Sequence, residues 1–195
     1  MVEFVDFKGA KTCIFGIQGS GKTYFAMKEY RFFSKPIVFV VNDDDLELWK
    51  KLPRIYIYHA DRNNTIGDFN KFIKKARDWA LQGKVDCIII DEADQFFQNN
   101  WNLNAPFLDL ILNHRHMGKE GCALWVMTRR PQDIPTKILE QSKFMVVFKL
   151  EGVNAIRRFG EINPLLPSMI ERLDYQRHNF VFKEIGKDPE FHRPL

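Results

Sequence analysis

Hydrophobic and polar positions along this chain follow two periods. Short, almost wholly apolar runs occur at Thr12-Cys13-Ile14-Phe15, Pro36 to Val41, Val85 to Ile90, Ala123 to Met127 and Phe144 to Leu150. Runs of this length, bounded by Gly, Asn, Asp or Pro, predict strands buried on both faces. Arg54-Ile55-Tyr56-Ile57-Tyr58 alternates β-branched and aromatic residues and predicts another strand. Between these runs the apolar positions recur every three or four residues. Thr65 to Gln82 sets Ile66, Phe69, Phe72, Ile73, Ala76 and Trp79 at helical spacing, with a stop at Gly83. Tyr24 to Phe33, Ala105 to Met117 and the shorter Pro135 to Gln141 read as helices in the same way. This alternation of strand and helix predicts an α/β fold, a mainly parallel sheet sandwiched by helices.

The two ends are less regular. Residues 1–10 form a lead-in that brings Phe4 and Phe7 against the sheet. Beyond Gly152, Ala155 to Phe159 and Phe180 to Phe182 are expected as edge strands, with a turn at Pro164-Leu165-Leu166-Pro167 between them. Lys187 to Leu195, with two prolines and no period, reads as a loose end or a docking arm. Asp43 to Asp45 reads as a solvated turn in which Asp44 or Asp45 caps the helix through Leu46, Leu48 and Trp49. A length of 195 residues fits a single domain, with a core over about 10–150 and an extension over about 151–195.

Composition changes this picture little. A hydrophobic share of 45% and a charged share of 28% exclude a disordered chain. A formal charge of +4 permits a polyanionic partner without requiring one. Cys13, Cys87 and Cys122 lie in or beside apolar runs and read as reduced core thiols. The opening Met1-Val2-Glu3-Phe4-Val5-Asp6 has no signal-peptide pattern, and no apolar run approaches bilayer length. A cytoplasmic protein without membrane insertion is expected.

The chemistry starts at Gly16-Ile17-Gln18-Gly19-Ser20-Gly21-Lys22-Thr23, which fits G-x-x-x-x-G-K-[ST] at each fixed position. It follows a predicted strand and opens a predicted helix at Tyr24, the setting a phosphate-binding loop requires. Glycines let the backbone N–H groups approach the phosphates, and the helix N-terminus favours the same negative charge. Lys22 is placed for the β- and γ-phosphates, and Thr23 for a Mg²⁺ ion. The second centre is Cys87-Ile88-Ile89-Ile90-Asp91-Glu92, an apolar strand ending in two acids. Asp91 is expected to hold the metal, and Glu92 to polarise a water for attack on the γ-phosphate. ATP and Mg²⁺ are the expected ligands, and the adjacent acids favour hydrolysis over transfer to a small acceptor.

These motifs, with Arg115-His116-Met117-Gly118 and with Met127-Thr128-Arg129-Arg130-Pro131-Gln132-Asp133-Ile134-Pro135, resemble the FtsK–HerA group of P-loop ATPases. Within that group the chain is similar to the viral genome-packaging ATPases. The resemblance covers roughly residues 10–150. It implies a RecA-like core, assembled as a homo-oligomeric ring (usually a hexamer) that moves double-stranded DNA. It also implies a location in the host cytoplasm or with the virion, and a capsid or portal protein as partner. Arg115 is then a candidate arginine finger acting on a neighbouring subunit's nucleotide. Read without the resemblance, it is a helix-end arginine complementing the dipole. The family has Gln where this chain has Arg129, so γ-phosphate sensing falls to Arg129 or to Thr128. His114 and His116 read as surface residues.

The polar stretch Gln95 to Pro106, with Asn99, Asn100, Trp101 and Asn102, is the candidate DNA contact. The ordinary alternative is a surface loop. Lys71, Lys74, Lys75 and Arg77 read mainly as a solvated helix face. The function expected is an ATP-driven motor that packages viral double-stranded DNA. Its alternatives are a ring helicase or DNA-transfer pump, a nucleotide-dependent virion assembly protein that moves no DNA, and a small-molecule kinase.

Overall fold

The computed structural model describes residues 5–97 and 105–193. In chain order it contains β1 (Lys11–Phe15), α1 (Lys22–Glu29), β2 (Pro36–Val40), α2 (Asp43–Trp49) and β3 (Tyr56–His59). Then come α3 (Thr65–Leu81), β4 (Cys87–Ile90), α4 (Asp94–Phe97), α5 (Ala105–Asn113) and β5 (Ala123–Thr128). The remaining elements are α6 (Thr136–Glu140), β6 (Phe144–Val147), α7 (Val153–Gly160), α8 (Leu166–Glu171), β7 (Phe180–Glu184) and β8 (Glu190–His192).

All eight strands join one sheet in the order β3-β2-β4-β5-β1-β6-β7-β8. The first six are mutually parallel, and β7 and β8 extend the sheet in antiparallel fashion. Every residue of β1, β2, β4, β5 and β6 is buried, which explains why these segments are apolar without alternation. Successive side chains point to opposite faces. Ile88, Ile90, Leu124 and Val126 join one core with Phe72 of α3, Leu110 of α5, Ile138 of α6 and Phe159 of α7. Ile89, Trp125 and Met127 join the other with Phe25 of α1, Trp49 of α2, Phe148 and Phe180. Phe7 closes this second core edge-on, with ring centroids 5.3 Å from Trp125 and 5.2 Å from Phe144. It does so from an irregular segment; Phe4 lies outside the described residues.

Several expectations are corrected. Ala155 to Phe159 is helical, because Ala155 and Phe159 lie four apart on one buried face of α7. Pro164 to Pro167 is not a bare turn: Pro167 sits in the first turn of α8, where a missing N–H costs nothing. Within the tail, Glu190–His192 forms β8 and pairs with β7, and His192 stacks on Phe180 at 5.3 Å. Asn42 rather than Asp44 or Asp45 occupies the N-cap of α2, and Asp43, Asp44 and Asp45 fill its first turn, favourable for the helix dipole. On α3, Lys71, Lys74 and Lys75 are exposed, in line with a solvated face, while Lys71 also pairs with Asp68 and Arg77 reaches Asp109 of α5. The three cysteines are free and buried.

His114 is also buried, 6% exposed, with Nδ1 2.7 Å from the Cys122 carbonyl oxygen; His116 is exposed. Burial pushes the His114 imidazole down to about 4, opposed by the Cys122 carbonyl and assisted by the nearby positive charges of Lys11 and Arg115. A base with a depressed folded pKa leaves stability intact above its unfolded value, near 6.5, and loses it as pH falls toward 4. Wild type should therefore lose up to about 3 kcal/mol between pH 7 and pH 4 relative to His114→Asn. Denaturant unfolding of both proteins across that range checks this.

Candidate functional site

The glycine loop joins the end of β1 to the start of α1. Its backbone is tied to both neighbouring strands: Gly16 N donates to Thr128 O at 3.3 Å and Ile17 N to Lys149 O at 3.0 Å. A Cβ on Gly16 would stand 2.8 Å from Phe148 Cβ and would also strike Ser20 Oγ, so this position accepts no side chain. Gly21 caps α1 with φ 112° and no side-chain cap, in the left-handed region that favours glycine. The first N–H groups of the helix are therefore directed at the loop, with no side chain of the cap competing for them. Lys22 Nζ lies over the loop, donating to Gly16 O at 2.7 Å and Ile17 O at 3.0 Å. Burial lowers its proton affinity, and the Asp91 charge partly offsets this.

Asp91 and Glu92 follow β4, on the far side of β5 from the loop. Asp91 is 3% exposed; its Oδ1 accepts the Glu92 N–H at 2.9 Å, and its buried Oδ2 has no partner. Burial first, and then the Asp45 charge, push this carboxyl up to about 7. Glu92 takes φ 50°, unusual for a non-glycine residue. Its carboxylate is held at both oxygens: Arg129 lies 3.1 Å from Oε1, and Gln95 Nε2 donates to Oε2 at 2.7 Å. A polar cavity of about 480 Å³ brings Lys22, Thr23, Asp91, Glu92, Thr128 and Arg129 together.

Thr128 lines this cavity, but its hydroxyl is engaged within the protein. It donates to Asp94 Oδ1 at 2.9 Å and accepts from Arg130 N at 3.0 Å. Tyr24 is exposed and borders a second cavity, which shares Gly19, Lys22 and Thr23 with the first. Arg115 is not in the site. It lies on a 3₁₀ turn, His114–His116, preceding β5, close enough to Lys11 at the start of β1 to perturb it. The site is at the other ends of those strands, about 15 Å away for five strand residues. Asn99, Asn100, Trp101 and Asn102 lie outside the described residues.

Asp45, Arg62 and Gln95 line the same cavity; the sequence pattern assigns Asp45 to a helix cap and Gln95 to the DNA-contact stretch, and does not mark Arg62. Asp45 was legible as an acid following the carboxyl end of a buried strand, where ligands of open α/β sheets gather. Arg62 pairs with Asp43 at 2.5 Å, a contact no local pattern announces.

The sequence model of the ATPase family associated with various cellular activities (AAA) matches residues 12–151. The chain belongs to the AAA family of ATPases. No curated protein matches this AAA ATPase by sequence search. Among solved structures it is similar to B204, the DNA-packaging ATPase of Sulfolobus turreted icosahedral virus. That match has TM-score 0.79 and 18% identity, over 97% of this chain and 100% of the other. The genome-packaging NTPase B204 of Sulfolobus turreted icosahedral virus 2, in complex with ATP-γS, gives TM-score 0.77 and 18% identity, over 96% and 98%. EssC (ATPases 2 and 3) of Geobacillus thermodenitrificans gives TM-score 0.63 and 16% identity, over 93% of this chain and 39% of that one. At these identities the likeness establishes the fold: the P-loop ATPase sheet expected from the resemblance. Among the described residues no helix is long and apolar enough to cross a membrane.

If Thr128 braces Asp94 rather than sensing phosphate, Thr128→Ser should cost under about 1 kcal/mol of stability. Thr128→Val should cost about 1–3 kcal/mol, because a buried donor and acceptor are left unmatched. Thermal unfolding of the nucleotide-free proteins separates the two.

Proposed function

We propose that this ATPase is a homo-oligomeric ring motor, a hexamer by family resemblance, that hydrolyses Mg-ATP to move double-stranded DNA, packaging a viral genome into a preformed shell. A capsid or portal protein is the partner such a motor requires. The observation that carries the reading is the convergence of Lys22, Thr23, Asp91 and Glu92 on one cavity at the carboxyl ends of β1 and β4. The likeness to viral packaging ATPases across nearly the whole of both chains supports the biological setting.

The residues fit a Mg²⁺ ion. The buried Asp91 Oδ2 lacks a partner, and Thr23 supplies a hydroxyl from the same cavity. When bound, the ion neutralises charge on the β- and γ-phosphates. Lys22 and the α1 N-terminus bind the phosphates. Glu92 orients a water and accepts its proton. Arg129 stands 3.1 Å from Glu92 in the position of the family's Gln and offers a guanidinium to the γ-phosphate. Arg115, displaced to the opposite end of the sheet, acts on the nucleotide of the next subunit. Its distance from its own site supports a role in trans over one in cis.

Steady-state hydrolysis with and without duplex DNA tests the motor. Wild type should be stimulated by DNA, and Glu92→Gln should keep its nucleotide affinity while losing about 10²- to 10⁴-fold in turnover. Turnover unchanged by DNA would favour the assembly-protein alternative, and turnover unchanged in Glu92→Gln would remove that residue's role.

The finger has its own test. Arg115→Ala and Lys22→Ala should each be inactive alone, a finger being worth about 10³ to 10⁵ in rate. Mixed together they should recover partial hydrolysis, since some interfaces then combine an intact loop with an intact finger. Mixtures as inactive as the separate variants would refute action across a subunit boundary.

A further inference from the structure

A cleft at the other end of the sheet from the glycine loop takes no part in the chemistry proposed above. It encloses about 360 Å³ between Lys35, Tyr56, Trp79 and Lys84. Lys35, Tyr56 and Lys84 lie near the starts of β2, β3 and β4, whereas the phosphate loop and the acid pair follow the ends of β1 and β4.

The fold produces both aromatic walls. Among the described residues β3 pairs only with β2, as the edge strand of the sheet. Tyr56 and Tyr58 are two residues apart and so project to the same face of it. Tyr58 packs on the core, its ring 5.6 Å from that of Phe72 on α3. About two helical turns further on, Trp79 meets Tyr56 edge-on at 5.4 Å, with the rings at 69°. Here the core ends: Trp79 is partly buried at its margin, and Tyr56 is 52% exposed.

Positive charge gathers on the same margin. Lys75 Nζ lies 4.6 Å from the Trp79 ring centroid, and Lys35 Nζ donates to Gly83 O at 3.1 Å. Lys84 is tied to the end of α3 by its backbone N–H, which donates to Trp79 O at 2.8 Å. All three lysines are exposed. The ion pairs of α3 engage Lys71 and Arg77, and among the described residues none engages Lys35, Lys75 or Lys84. The carboxylate of Asp86, close by in the chain, is occupied by the Ser34 and Lys35 N–H groups at 2.7 and 2.9 Å.

We propose that this cleft binds an unpaired nucleotide of a single-stranded nucleic acid, its base against Tyr56 and Trp79 and its flanking phosphates on Lys35, Lys75 and Lys84. Every base presents a flat face to aromatic rings, and the strand brings a phosphate charge with each nucleotide to the unpaired ammonium groups. A duplex matches only the charge, because its bases are stacked on one another and do not reach the rings. An acidic peptide likewise uses the lysines and leaves the rings idle. The volume lies at the low end of the ~300–1,000 Å³ of small-ligand sites, suited to one nucleotide rather than several. The site does not depend on what the phosphate loop holds.

The test is fluorescence anisotropy of a labelled oligothymidylate, an unstructured single strand, on the full chain. Wild type should bind it, and Tyr56→Thr should weaken binding by roughly 5- to 150-fold, the worth of one base–aromatic contact. Tyr56→Phe keeps the ring and should bind as wild type does. Lys84→Gln should weaken binding and lower the slope of log affinity against log salt by about 0.7, one phosphate contact of a single strand. Duplex binding and hydrolysis of ATP without DNA should be the same in wild type and Tyr56→Thr. No binding of the strand by wild type, equal binding by Tyr56→Thr, or equal losses in Tyr56→Thr and Tyr56→Phe would overturn the proposal. So would an oligoglutamate peptide that displaces the strand at equal concentration, which would make the cleft a protein-docking site.

Discussion

The end of β5 sets the geometry on which the site depends. Gly16 N donates to Thr128 O on one side, and Ala93 N donates to Met127 O at 2.8 Å on the other. The phosphate loop and the acid pair are thereby tethered to consecutive residues of one strand. At about 4.8 Å per strand spacing, β1 and β4 run roughly 10 Å apart on either side of β5. The strand order is what makes this possible. Because β5 is inserted between β4 and β1, Asp91 and Glu92 face the loop across a gap instead of lying beside it. That gap is the polar cavity.

The same arrangement explains the electrostatic tension of the site. Lys22, Asp91 and Asp45 are brought close around one cavity, and burial works against the charged form of the first two. Lys22 meets this by donating to two loop carbonyls, and Asp91 by accepting one N–H at Oδ1. Oδ2 has no such compensation. A buried carboxylate oxygen without a donor is costly unless a cation or a proton occupies it.

How far the sequence disclosed this depends on the range of the interactions involved. The parallel sheet was legible because burial on both faces leaves a continuous apolar run, as in Ile88-Ile89-Ile90, and the loop because its eight residues carry their own geometry. The failures lie where contacts distant in sequence override a local pattern. Ala155-Ile156 and Phe159 suit either period until Gly152 and the facing α8 select the helix. His114 looks like a surface residue until the Cys122 carbonyl, eight residues on, takes its ring inside. The α8–β7 turn reads as featureless because its contacts with Gly19, Ser20 and Gly21 span more than 150 residues.

The clasp on Glu92 follows from the departure at Arg129. A glutamine in that position would offer a neutral amide, whereas the guanidinium forms an ion pair with one carboxylate oxygen while Gln95 takes the other. With about four acceptor sites on a carboxylate, these two partners fix the orientation of Glu92 and leave it able to accept from a water. An anion delivered to Lys22 changes that balance, since it enters the cavity that Arg129 lines and competes for the same guanidinium. On the proposed reading, the γ-phosphate and Glu92 share a single arginine as partner.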